Sequence, residues 1–273
     1  MHFGTMQSVL KCDIGEVFHR AAALGYSSVE LDWNSPADAL PGGRMSPSMR
    51  DMIRMTARTN GITIASVAAH FLNAANIAND NPAAVAAAIL NIKRGITLCA
   101  DICAKVLLVP FFYDADIIGA AGIERLVRTL KTLAPDAEKA GVVLGIESTL
   151  SAADNLAVVT AVGSKNVGIY WDMANGMAVG YDPVADVKAM ANIIVQVHAK
   201  EFVRDAGPIG TRSKPRFDML NHKALGHGDV PLAAILTALR SSGYTGHVVC
   251  ETGTFGTVHA SAAADLVTLR SVA

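Results

Sequence analysis

Between Val142 and Lys200 three short apolar runs follow one another, and each closes on residues able to hold a cation. They are Val142-Val143-Leu144-Gly145-Ile146-Glu147, Val167-Gly168-Ile169-Tyr170-Trp171-Asp172 and Ile193-Ile194-Val195-Gln196-Val197-His198-Ala199-Lys200. Each is rich in β-branched or aromatic residues and bounded by turn signals, the mark of a buried strand. Segments with helix starts lie between them. Strand, helix, strand, helix, strand demands parallel pairing with crossover helices. In such sheets the side chains at the carboxyl ends of the strands face the ligand site. A fourth run, His247-Val248-Val249-Cys250-Glu251, ends in a second glutamate. Glu147, Asp172, His198 and Glu251 are therefore expected at one mouth.

The same rhythm runs through the rest of the chain. His2 to Met6, Ser28 to Asp32, Ile62 to Ala69 and Lys105 to Pro110 read as four earlier strands. Ile14 to Leu24 reads as a helix closed by Gly25, and Ser46-Pro47 and Asn81-Pro82 are cap-plus-proline helix starts. A helix over Gly122 to Ala140 is expected to kink at Pro135. Asp229 is expected to cap the helix before the last strand. Eight strand–helix units over residues 1–273, with no linker, predict a single (β/α)₈ TIM barrel, for which roughly 250 residues are typical. A doubly wound open sheet would carry a glycine-rich phosphate loop after its first strand, and none occurs. The segment Glu201 to Gly228 shows no element of its own. Its basic residues Arg204, Arg212, Lys214, Arg216 and Lys223 outnumber its acids, which suits a lid, a phosphate clamp or a solvated surface loop.

The ligand types narrow the chemistry. Three carboxylates and an imidazole suit Mn²⁺, Mg²⁺, Co²⁺ or Zn²⁺ in a mixed N/O site, and a site without sulfur is catalytic in kind rather than structural. A single carboxylate closing a strand is ordinary, but four candidates on strands five to eight need partners, because buried charges do. The net charge of −1 points to neither nucleic acid nor an anionic membrane. No apolar run reaches 18 residues without a charge or turn and no secretory leader is evident, so a cytoplasmic protein is expected. Cys12, Cys99, Cys103 and Cys250 lack zinc-type pairing and are expected to be reduced and buried.

On these residues the chain resembles the sugar isomerase/epimerase superfamily with a xylose-isomerase-like TIM barrel. The resemblance rests on Gly145-Ile146-Glu147, Tyr170-Trp171-Asp172-Met173-Ala174-Asn175, Val197-His198-Ala199-Lys200, Leu225-Gly226-His227-Gly228-Asp229-Val230 and Cys250-Glu251. It is nearest in pattern to the ketose 3-epimerases, of the D-tagatose and the L-xylulose-5-phosphate/L-ribulose-5-phosphate kinds. The resemblance implies a divalent metal, Mn²⁺ first, on Glu147, Asp172, His198 and Glu251. It implies epimerisation at C3 of a ketose or ketose phosphate by two-base proton transfer, with Glu147 and Glu251 as the bases and a metal-stabilised enediolate between the steps. Asn175 stands where tagatose-type enzymes place a histidine and phosphoketose enzymes an asparagine. Arg204 falls where the epimerases bind substrate. His70 and Lys200 are further candidates for substrate contact, Lys200 needing a twist or bulge to share the mouth with His198. Trp33 and Phe111 suit a sugar-facing wall or ordinary packing. The partners implied are a small sugar or sugar phosphate and further copies of the chain, as a dimer or tetramer, with neither nucleic acid nor membrane.

Three other functions compete. An abasic-site endonuclease of the same superfamily needs more histidines and a basic face. A metal-dependent keto-sugar or inosose dehydratase, or an aldose–ketose isomerase, shares the metal set. A barrel that binds a sugar or partner without turning it over would show no reaction.

Overall fold

The computed structural model describes residues 1–74, 77–204 and 220–273. The strands are β1 (His2–Met6), β2 (Ser28–Asp32), β3 (Thr63–Ala68), β4 (Val106–Phe111), β5 (Val143–Ser148), β6 (Val167–Asp172), β7 (Ile194–Ala199), β8 (Phe202–Arg204), β9 (Leu220–His222) and β10 (His247–Cys250). Eight of them close into a parallel barrel in the order β1-β10-β7-β6-β5-β4-β3-β2. The remaining two, β8 and β9, form a separate antiparallel ribbon in the segment read as having no element. The lid or clamp reading, with Arg212, Lys214 and Arg216, falls on residues 205–219, outside the described residues.

Helices cover the outside: α1 (Gln7–Leu10), α2 (Val17–Leu24), α3 (Pro47–Thr59), α4 (Pro82–Asp101), α5 (Gly119–Ala140), α6 (Ala152–Val162), α7 (Pro183–Met190), α8 (Leu232–Ser241) and α9 (Val258–Val272). Their starts follow the sequence signals in part. Asn81 and Asp182 cap α4 and α7 through their side chains, each with proline in the first turn. Ser46 precedes Pro47 without a side-chain cap bond. Pro135 lies inside α5, which continues through it to Ala140. Asp229 does not cap α8; its carboxylate accepts from Arg204 N instead, at 2.8 Å, and joins the ribbon to the loop before α8.

The 20-residue α4 is long and apolar enough, by length and composition, to cross a membrane. Lys93, Arg94 and Asp101 fall within it, so it is not an apolar run of 18 residues free of charge, as the sequence led one to expect. Its Ile92, Ile96 and Leu98 are buried in the layer between barrel and helices. Gly95 shows how closely helix and barrel approach there: a Cβ on it would lie 2.7 Å from Leu107 and 2.8 Å from Trp33. The cysteines are all free, but Cys103 is exposed and lies beyond the end of α4, so only Cys99 and Cys250 are buried as expected.

The barrel lumen departs from the usual filling of branched apolar side chains. One face of β3, β4 and β6 contributes Ala68, Val106, Leu108 and Tyr170 as a small apolar cluster. Gly145 lies against it, where a Cβ would stand 3.0 Å from Val106 and 3.2 Å from Tyr170. Beside this cluster Glu30, Ser66, Tyr170 and Gln196 are joined by hydrogen bonds, all of them buried. This polar layer supports the mouth.

Candidate metal centre

Strand alternation puts every second residue into the lumen. On β5, β6 and β7 that set ends in Glu147, Asp172 and His198, and Glu251 follows β10 directly. One ligand atom from each of the four lies within 4.8 Å of all the others. The four side chains expected at one mouth thus come together there.

Local bonds aim each donor. Asp172 Oδ1 accepts from the backbone N–H groups of Ala174 and Asn175, both at 2.7 Å. That leaves Oδ2 facing the centre, buried and without a hydrogen-bond partner. Glu251 Oε2 is likewise buried without one. His198 Nδ1 stands 3.2 Å from Glu147 Oε1 and 3.1 Å from Glu251 Oε2. Asn175, three residues past Asp172, reaches Glu147 Oε1 with its amide at 3.4 Å.

Lys200 enters from the same face of the chain as His198. Residues two apart on a strand share a face, so no bulge is needed, contrary to the sequence expectation. Its ammonium lies 3.2 Å from Asp172 Oδ2 and 2.8 Å from Glu251 Oε2, at ion-pair distance but not aligned as a hydrogen bond to either orphaned oxygen. Three carboxylates facing one ammonium leave two negative charges when metal ligation holds the imidazole neutral. A divalent cation neutralises that remainder, and two buried oxygens lacking donors are the atoms it would satisfy. The donor set therefore fits a divalent metal.

The proton affinities carry the same message. Burial disfavours the charged His198 ring, yet Glu30, Glu251 and Glu147 outweigh it and push the ring well above its ordinary value. Burial raises Glu147, with only partial relief from His198. Burial would raise Glu251 too, but Lys200 and His198 hold it well below the usual carboxylate range. Lys200, despite burial, is driven up by Asp172 and Glu251. The cluster is short of positive charge.

A cavity of about 210 Å³ opens over this centre. Glu147, Glu251, Asn175 and Lys200 form its floor, and His70, Asn73, Tyr113 and His222 its sides. Its volume lies below the ~300–1,000 Å³ of drug-sized pockets, which suits a small polar ligand. His70 begins a 3₁₀ turn after β3 and pairs with Asp32 at 3.4 Å. Trp33 and Phe111 are fully buried packing residues away from it. Arg204 is exposed on β8 and does not line the cavity among the described residues. His227 is exposed, and the Gly228 backbone beside it closes on its own chain: a Cβ there would lie 2.2 Å from Phe202 O.

Several residues escaped the sequence reading. Asn73, Tyr113 and His222 sit in turns and a ribbon where no periodicity marks them. Glu30 and Gln196 were visible in principle. Ser28, Glu30 and Asp32 alternate with Val29 and Leu31, and Gln196, His198 and Lys200 alternate with Val195, Val197 and Ala199. Each alternation marks a polar inner face.

The fold has many solved counterparts. The chain superposes on D-psicose 3-epimerase with D-tagatose from Clostridium cellulolyticum H10 with a TM-score of 0.78 at 20% identity, covering 100% of this chain and 99% of that one. L-ribulose 3-epimerase gives 0.77 at 17%, covering 99% and 95%. The apo form of 3-keto-D-glucoside 4-epimerase from E. coli gives 0.75 at 16%, covering 99% of both. At such identities the likeness is one of fold. No curated protein matches the chain by sequence. The family model described as "Xylose isomerase-like TIM barrel" matches residues 18–271. A closed parallel barrel carrying Glu, Asp, His and Glu at the mouth, matched over that span, belongs to the xylose isomerase-like TIM barrel family.

Proposed function

We propose that the protein is an isomerase that epimerises a ketose or ketose phosphate at C3, using Glu147 and Glu251 as its two bases. One observation carries the reading. The two glutamates leave strands separated in the barrel by β6 and β7, yet both reach His198 Nδ1 and both line the one cavity. A sugar lying between them meets a carboxylate on either side. Epimerisation needs that arrangement, because the proton must leave one face and return to the other. The superposed psicose and ribulose 3-epimerases support the choice of substrate class.

The residues divide the work as follows. Glu147, Asp172, His198 and Glu251 would hold a divalent cation, Mn²⁺ first. When bound, that ion supplies Lewis-acid stabilisation to the developing oxyanion, worth several kcal/mol. Glu147 and Glu251 take and return the proton beside the ketone, a task that requires each to come within hydrogen-bond reach of that carbon's hydrogen. Asn175 and His70 offer hydrogen bonds to hydroxyls at the floor and side of the cavity. Lys200 keeps the carboxylates together and offers a donor to a substrate oxygen. Arg204 lies outside the cavity lining, and a contact with the distal end of the sugar would require a ligand that extends beyond the cavity.

Incubation with Mn²⁺ in D₂O across free and phosphorylated ketoses tests this. Deuterium entering at C3, dependent on metal and accompanied by the C3 epimer, is expected. Loss of water from a keto-sugar, or aldose formation, would instead identify a dehydratase or an aldose–ketose isomerase. Metal uptake without exchange in any sugar would identify a binding barrel.

A further inference from the structure

We propose that Glu30, at the centre of β2 and outside the candidate ligand set, is a positioning residue that fixes the ring of His198 so that Nδ1 presents its lone pair to the metal site. The proposal rests on the metal reading above, but not on any particular substrate.

The case is one of hydrogen-bond direction. Gln196 Nε2 lies 2.5 Å from Ser66 Oγ and 2.8 Å from Tyr170 Oη. An amide nitrogen has only hydrogens to give, so both hydroxyls accept from it. Their own hydrogens therefore point onward, and both meet Glu30 Oε2, at 2.5 Å from Ser66 and 2.7 Å from Tyr170. Glu30 is fully buried, so its remaining oxygen needs a donor from the protein. Oε1 finds one in His198 Nε2, at 2.8 Å. Nε2 thus carries a hydrogen, and once a metal occupies Nδ1 the imidazole is neutral and has only that one. Nδ1 is directed between Glu147 Oε1 and Glu251 Oε2, and in the metal-bound state its lone pair points there. A lone pair facing two carboxylate oxygens is repulsive unless a cation stands between them. Tyr170 also packs its ring on the imidazole, with centroids 4.4 Å apart, which fixes the ring plane.

One direction of donation therefore runs from Gln196 through two hydroxyls to Glu30, and a second from His198 into Glu30. The carboxylate is where they meet. Glutamine in its place breaks the scheme. With its oxygen toward His198, its nitrogen would face two hydroxyls that already accept from Gln196 and have lost their acceptor. Turned over, it would offer N–H to Nε2 and move the imidazole hydrogen to Nδ1, removing the ligand lone pair. Partners of this kind change metal affinity by about 10–100-fold.

The test is Mn²⁺ affinity by calorimetry for wild type, Glu30→Gln and Ser66→Ala, with ¹⁵N spectra of the Zn²⁺-loaded proteins. His198 is assigned by its loss in His198→Asn. Wild type should bind Mn²⁺ and show a slowly exchanging His198 Nε2–H. Glu30→Gln should bind ~10–100-fold more weakly and lose that protected hydrogen. Ser66→Ala, which leaves the Glu30–His198 bond intact, should keep the Nε2–H and lose far less affinity. Equal affinity in wild type and Glu30→Gln overturns the proposal, as does a wild-type His198 carrying its hydrogen on Nδ1. The second result decides the matter even if Glu30→Gln fails to fold. A wild type that takes up no Mn²⁺ overturns the metal reading itself.

Discussion

Asp172 binds the backbone N–H of Asn175, three residues on, through one carboxylate oxygen and keeps the other for the centre of the site. The short turn that follows β6 thus orients a ligand and places Asn175 over the cavity floor with one bond. The two residues nevertheless have separable tasks. Asp172→Ala removes a donor and the anchor of the turn, and should lower Mn²⁺ affinity by more than the ~100-fold typical of losing a supporting residue. Asn175→Ala removes only contacts of 3.4 Å to Glu147 and Lys200, so metal should be retained while KM rises. Metal content after dialysis, with steady-state kinetics, separates the two. Equal metal loss in both variants would remove the distinction.

Lys200 is expected to act as an internal counter-charge. Its ammonium is buried against Asp172 and Glu251, and breaking such a pair costs about 3–5 kcal/mol because the partner charges stay behind. Lys200→Met should lower the melting temperature in EDTA by on the order of 10 °C, given about 2–4 °C per kcal/mol for chains of this size. A divalent cation supplies the missing charge without competition from the ammonium. Added Mn²⁺ should therefore raise the melting temperature of the variant more than that of wild type. Thermal melts with and without Mn²⁺ check the sign, and an equal rise in both proteins would contradict it.

His70 and Asp32 predict a pH dependence at the cavity wall. Burial disfavours the His70 cation, but the bond to Asp32 and the charges of Glu30, Asp32 and Glu251 outweigh it and raise the ring above its ordinary value. A group whose folded value is raised stabilises the fold fully below its unfolded value, roughly 6.5 for histidine, and loses that contribution as pH rises through the folded value. Asp32→Asn should therefore cost more near pH 5.5 than near pH 9. The difference should be at most about 1 kcal/mol, because the His70 side chain is 31% exposed. Urea midpoints at the two pH values measure it, together with an NMR titration in which His70 shifts downward in the variant.

The barrel and the four converging residues were legible because two simple periods encode them. Short β-branched runs between capped helices specify parallel strands, and a polar residue at a run's end specifies the mouth. What escaped was encoded by neither. Glu30 reads as one acid in an ordinary strand until the polar set Ser28, Glu30 and Asp32 is aligned with Gln196, His198 and Lys200 across the lumen, and only closure of the barrel makes that alignment. The role of Asp229 was misread for a related reason. A cap signal is local, whereas its carboxylate is claimed by Arg204 N from the neighbouring ribbon. His222 reaches the cavity through pairing of β8 with β9, which no short-range pattern announces.

The two-base reading makes the sharpest demand on Glu147 and Glu251. They leave the barrel on either side of β6 and β7, and on the two-base reading each would approach a bound sugar from its own side. An aldose–ketose isomerase moving a proton along one face needs only one base, so the behaviour of the two single variants, not the presence of the pair, distinguishes the reactions. Glutamine in either place keeps the size and one ligand oxygen but removes the base. Each single variant, Glu147→Gln or Glu251→Gln, should lose epimerisation by at least ~10²-fold, the usual range for general acid–base help. Because one carboxylate remains, one of the variants should still exchange the substrate's C3 proton with D₂O on a single face without releasing epimer. Mass spectrometry of recovered substrate and product, on protein verified to hold its metal, reads both quantities at once. If both variants keep near-full turnover with metal bound, neither glutamate is a base and the reaction proposed here is wrong.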